Sequence, residues 1–246
     1  MQKMEFKNPP PFEQINLKAN KYKAFTLAEV LITLVIIGIV AAFTVPTIIA
    51  NYRKEEVETR LKKFYTAVRN AWDLEKIDGN RMYDNVQDRN DIEGWFDENI
   101  IEKHLAIAAP RHGIYEPIPG RKNSFSYLGG AYQYNDGTFS YLTDRIYREN
   151  QYACIQIIYD INGQRKPNKI GKDRFKMYFC DGATPEYEEY SEKRFGTLTP
   201  NIHDRDARGK ALDRCKSGDN WNEWSSCFYL IKENGFKIPE DYPHKI

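Results

Sequence analysis

Three oxygen-bearing side chains, Asp160, Asn162 and Asp173, bracket one loop of the chain, with Asp160 and Asn162 alternating ahead of Gly163. That pattern, with a second carboxylate returning at Asp173, suits a hard cation such as calcium. The competing reading is a plain Asn-Gly turn, because Arg165, Lys166, Lys169 and Lys172 share the loop and repel a cation. Four cysteines, Cys154, Cys180, Cys215 and Cys227, could form disulfides or hold zinc. No CxxC spacing occurs and His104, His112, His203 and His244 are scattered, which favours disulfides. Three pairings are open. Cys215 and Cys227 bracket the loop 217–224, and Cys154 and Cys180 lie on segments read below as neighbouring strands, so these two pairs are expected. The aromatics Trp221, Trp224, Phe228 and Tyr229 around the second pair read as inward packing of a stapled loop. Neither GxSxG, HExxH, a P-loop nor GxGxxG appears, and no carboxylate spacing singles out an acid/base pair. An enzyme is not expected.

The elements that carry these residues are legible from periodicity. From Tyr127 to Phe179 the pattern is that of strands: 131–134 and 138–142 flank an Asn-Asp-Gly turn, and further strands run over 154–161 and 174–180. From Asn51 to Asp78, apolar residues at Val57, Leu61, Phe64, Tyr65, Val68, Ala71 and Trp72 fall on one helix face, and Gly79-Asn80 ends the run. A shorter amphipathic helix is expected around Trp95 to Leu105, stopped by Pro110. The fold class is α+β, a long N-terminal helix packed on a small antiparallel sheet of three or four strands. In 246 residues with 41% hydrophobic and 29% charged side chains there is material for one core. A net charge of +1 gives no bulk attraction to nucleic acid, which is not an expected partner.

One feature departs from this soluble average. Val30 to Ala50 is a stretch of 21 residues without a charge, long enough as a helix to cross a bilayer and too long for a signal-peptide core. Ahead of it, residues 1–24 carry a net charge of +3 and Pro9-Pro10-Pro11, a basic leader that places the N-terminus in the cytoplasm and the body on the exported side, where disulfides persist. Two residues disobey the rule for an ordinary anchor. Glu29 is a carboxylate four residues into the apolar segment and wants a cationic partner, and Pro46 removes a backbone donor near the far end.

The string from Lys23 through Ala24, Phe25, Thr26, Leu27, Ala28 and Glu29 to Leu34 closely resembles the cleavage and methylation signal of type IV prepilins and type II secretion pseudopilins. Basic leader, small residue, Phe, Thr-Leu, Glu four positions after the Phe, and a long apolar helix all match, as do Gly38 and Pro46; the family usually has Gly where Ala24 stands. The resemblance implies cleavage between Ala24 and Phe25 by prepilin peptidase, N-methylation of Phe25, and assembly through Glu29 and the apolar helix. The implied regions are a removed leader (1–24), a transmembrane and filament-core helix (25–50), its amphipathic continuation (51–78) and an exported head (79–246). Other pilin or pseudopilin subunits, a membrane platform and an assembly ATPase are the implied partners, in the inner membrane and then in a periplasmic or cell-surface filament. The resemblance also puts a calcium loop where Asp160 to Asp173 lies, and the tail from Gly235 to Pro243 is similar to the ends of pilin-like proteins. The alternative reading is a monomeric, single-pass, membrane-anchored binding protein with an exported head.

Overall fold

The computed structural model describes residues 25–109, 131–163, 165–193, 195–197, 207–217 and 225–246. Residues 1–24 with Ala24, and also Pro110, His112, His203, Trp221 and Trp224, lie outside the described residues. The chain divides into two units, residues 1–47 and 48–246, and one helix, α1 (Leu27–Ile77), runs through the boundary.

In the first unit the described part is helix. It is long and apolar enough, with the residues that follow, to cross a membrane by length and composition. Pro46 sits inside α1, where it has no N–H to give to the carbonyl one turn earlier. Nearby threonines partly compensate for a polar backbone in apolar surroundings: the Thr44 hydroxyl donates to Val40 O at 2.9 Å and that of Thr33 to Val30 O at 2.9 Å.

In the second unit α1 acquires a buried face. Val57, Leu61, Phe64, Val68, Ala71 and Trp72 recur every three or four residues, so one stripe faces the core while Lys62 and Lys63 between them stay in water and Glu58 is buried beside the stripe. Against that stripe lies a five-stranded antiparallel meander in the order β1 (Ile107–Ala109), β2 (Ala131–Tyr134), β3 (Phe139–Arg148), β4 (Tyr152–Asp160) and β5 (Arg174–Gly182). The fold is α+β, as read from periodicity. The sheet exceeds the expected three or four strands by β1, whose three residues are too few to show an alternation, and β3 runs beyond its expected end to Arg148 through polar residues that hide its strand character.

Register decides which side chains meet. Ile155 opposes Phe179, Ile157 opposes Met177 and Tyr159 opposes Phe175, and all six face α1 in the main core. Phe64 stacks on Tyr159 at 4.1 Å between ring centroids. Trp72 is fully buried and meets Trp95 and Phe195 edge-on at 5.6 and 5.5 Å. Period two places the intervening residues on the opposite sheet face, where Cys154 opposes Cys180, Gln156 opposes Tyr178 and Asp160 opposes Arg174.

The short helix expected around Trp95 to Leu105 is divided between the end of α3 (Asp91–Phe96) and a π-helical segment, Asp97–Glu102, and a further short helix, α2 (Met82–Asn85), precedes it. Three further helices, α4 (Pro185–Lys193), α5 (Ala207–Ser217) and α6 (Ser226–Glu233), complete the unit. Helix α4 has little apolar surface and is held by charge: Lys76 of α1 pairs with Glu188 and Glu192, and Arg69 with Glu192 at 2.5 Å. Two buried carboxylates of α1 anchor other segments. Glu58 accepts Ile238 N–H at 2.9 Å and Lys237 Nζ at 2.7 Å, and Glu75 accepts His104 Nε2 at 2.6 Å and Lys103 Nζ at 2.7 Å. His104 is therefore half-buried against a carboxylate, not a simple surface residue.

Trp72 fills the junction of α1, α3 and β5, so Trp72→Ala is expected to lower the stability of the unit by about 3–5 kcal/mol in urea unfolding. Leu74→Ala, two positions away and 49% exposed, is expected to change it by less than about 0.5 kcal/mol.

Candidate assembly segment and the loop between β4 and β5

The start of α1 is a reciprocal cap. Thr26 Oγ1 accepts Glu29 N–H at 3.2 Å, while Glu29 Oε2 accepts Thr26 N–H at 2.9 Å and the Thr26 hydroxyl at 2.8 Å. Two amides that a helix start leaves without partners are satisfied, and a carboxylate is held beside the positive end of the helix dipole. From the sequence Glu29 is a carboxylate that wants a cationic partner and an expected assembly residue; capping is a second role. The signal for its second role was present as Thr-x-x-Glu ahead of an apolar run. Phe25, immediately before the cap, is 85% exposed, and every large apolar side chain from Val30 to Ile49 is at least 42% exposed. A surface of this kind is stable only in lipid or against other apolar helices.

The structure brings Asp160, Asn162 and Asp173 together, and the loop's own donors occupy their carboxylates. Asp173 Oδ2 accepts Asn168 N–H at 2.6 Å and Asn162 Nδ2 at 3.1 Å, and its Oδ1 accepts Lys169 N–H at 2.6 Å. Asp160 accepts Asn162 N–H at 3.2 Å and Arg174 Nε at 2.8 Å, an ion pair with both side chains buried. A calcium ion wants six to eight oxygens free to turn toward it. Here a guanidinium already stands beside Asp160, and three N–H donors converge on Asp173, so the residues as arranged do not fit the ion. Arg174 escaped sequence analysis because its role depends on register: only the pairing of β4 with β5 puts it opposite Asp160. Burial pushes the Asp160 carboxyl up to about 6, with Arg174 pulling it down less strongly. The folded chain therefore holds that proton more tightly than the unfolded one, and this group's contribution to stability declines as pH rises from about 4 to about 6.

The cysteines are joined as Cys154–Cys180, directly opposite across β4 and β5 with Cα atoms 4.1 Å apart, and as Cys215–Cys227, which links α5 to α6. His244 lies against the second bridge and meets Cys215 O at 2.7 Å through Nε2. Gly171 is the close approach that allows this: its φ is +83°, and a Cβ there would collide with the His244 ring and come within 2.7 Å of Cys227 Sγ. The Tyr242 hydroxyl donates to Gly171 O at 2.7 Å, so the C-terminal segment locks onto the β4–β5 loop.

Residues 47–246 match the model of a family of unknown function, DUF6613, and residues 19–45 match the prokaryotic N-terminal methylation motif. Two similar proteins are the type II secretion system core protein G of Aeromonas hydrophila, 34% identical over 65 residues, and that of Vibrio cholerae serotype O1, 38% identical over 66 residues. Those stretches cover 26% and 27% of this chain and 45% and 44% of the relatives, so the chain spans less than half the length of the curated relatives it matches. No solved structure matches.

Removing one partner of a buried pair leaves a charge without compensation, so Arg174→Ala is expected to cost about 3–5 kcal/mol in urea unfolding. Saturating calcium is expected to leave the Tm of the unaltered chain unchanged; a calcium-dependent rise would mean that the loop opens to a cation after all.

Proposed function

Because the chain belongs to the DUF6613 family over most of its length and carries a prokaryotic N-terminal methylation motif ahead of that region, we propose that it is a structural subunit of a type II secretion pseudopilus or a related type IV pilus-like filament, and not an enzyme. The observation that carries this reading is the exposed apolar surface of α1, which opens at a Thr26–Glu29 cap one residue after Phe25. The likeness to type II secretion core protein G supports the secretion form of the filament.

In this reading prepilin peptidase hydrolyses the Ala24–Phe25 bond, leaving a carboxylate on Ala24 and an ammonium on Phe25, which is then N-methylated. The basic leader keeps the N-terminus cytoplasmic, and residues 48–246 are exported, where both disulfides form. The new ammonium lies in apolar surroundings and needs a counter-ion. Glu29 supplies it: Oε2 is committed to Thr26, and Oε1 is left to accept from the ammonium of a neighbouring subunit. Pairing Phe25 of one subunit with Glu29 of the next sets the axial stagger, and the apolar faces of the stems then bury one another as they leave the bilayer. A platform protein and an assembly ATPase would drive that transfer.

Glu29→Ala removes the counter-ion and one half of the cap while leaving the apolar span intact. The variant is expected to be inserted and processed normally but to yield little or no filament when co-expressed with its assembly machinery, measured by shearing and immunoblotting. Normal filament yield from Glu29→Ala would remove the pairing step.

A further inference from the structure

One cleft in the second unit, with a volume of about 330 Å³, gathers five cationic side chains: Arg53 from α1, Arg165, Lys166 and Lys172 from the β4–β5 loop, and Lys245 from the C-terminal segment. None of the five has an ion pair among the described residues. Of the two acidic side chains in the same lining, Glu56 pairs with Arg60 at 3.0 Å, and Asp173 accepts the three neutral loop donors described above and keeps its charge. Five cations drawn together by three separate segments outnumber these acids and leave the site net positive.

We propose that this cleft binds a phosphate group, and that its source is the headgroup of an anionic phospholipid such as phosphatidylglycerol. The cations take the phosphate oxygens. Position selects the lipid as the source. Arg53 follows Ala50, the last residue of the uncharged run, by three residues, or about 4.5 Å at about 1.5 Å per residue. The headgroup layer on each side of a hydrocarbon core is about 5–8 Å deep, so the Arg53 side of the cleft falls at headgroup level. This assignment rests on residues 25–50 spanning the membrane. It gives the β4–β5 loop a task in the subunit before assembly: holding the body against the bilayer surface until the stem is withdrawn.

The test uses the full chain, reconstituted in nanodiscs of phosphatidylcholine with or without phosphatidylglycerol and released for native mass spectrometry. Phosphatidylglycerol is expected to be retained over phosphatidylcholine by about tenfold, and Arg165→Gln/Lys166→Gln/Lys172→Gln to abolish that preference without altering insertion. If glycerol phosphate alone protects the detergent-solubilised chain against heating, and the triple variant loses that protection, the phosphate site stands and its ligand is soluble. Equal retention of both lipids with no protection by glycerol phosphate, or an unchanged preference in the triple variant, overturns the site. Failure of the unaltered chain to insert into nanodiscs overturns the membrane-span reading and the lipid source with it, a result separable from loss of preference in an inserted chain.

Discussion

The helix α1 cannot bury its own first half. From Val30 to Ile49 its large apolar side chains are exposed, while from Val57 to Trp72 the same helix has a buried stripe and a charged face. Each exposed methylene in water costs on the order of 0.8 kcal/mol, so such a surface must be in lipid or against like helices. Everything distinctive about the N-terminus answers that constraint. The Thr26–Glu29 cap satisfies amides at the helix start, and threonine hydroxyls return to backbone carbonyls along the apolar run.

Beyond the span the chain adds ionic and covalent ties to an apolar core. Between β4 and β5 the sheet face turned from α1 carries a disulfide at one position, a Gln156–Tyr178 hydrogen bond two residues on, and the Asp160–Arg174 pair at the end. The loop that follows is organised around Asp173, and Arg60 of α1 donates to Ile161 O at 2.8 Å, tying that loop to the helix. A guanidinium supplied by the chain itself stands where a bound cation would neutralise Asp160. Arg165, Lys166 and Lys172 of the same loop have no ion pair among the described residues.

What could be read before the structure divides along physical lines. The apolar run, the helical stripe through Trp72, the Asp-Gly turn and the long strand at Cys154 each rest on local periodicity or turn chemistry, and they are where the residues indicated. The three-residue β1 and helices α4 and α5 carry too little apolar contrast to be seen, because α4 is held by Lys76 and Arg69 and α5 by the Cys215–Cys227 bridge. Of the candidate residues, Glu29 was visible as an anomaly, but its cap partner Thr26 was overlooked. Arg174 was hidden because a cross-strand pair is a property of register, which no single segment encodes. Gly171 is of the same kind: its neighbours His244 and Cys227 are distant in sequence.

In the proposed filament subunit, cleavage before Phe25 would create the charge that Glu29 would meet, and it separates a filament subunit from an anchored monomer. The most direct measurement is intact-mass and peptide mass spectrometry of the chain purified from membranes. A chain that begins at an N-methylated Phe25 is the expected result. A chain that still begins at Met1 would contradict the assembly account and leave a membrane-anchored protein that keeps its leader.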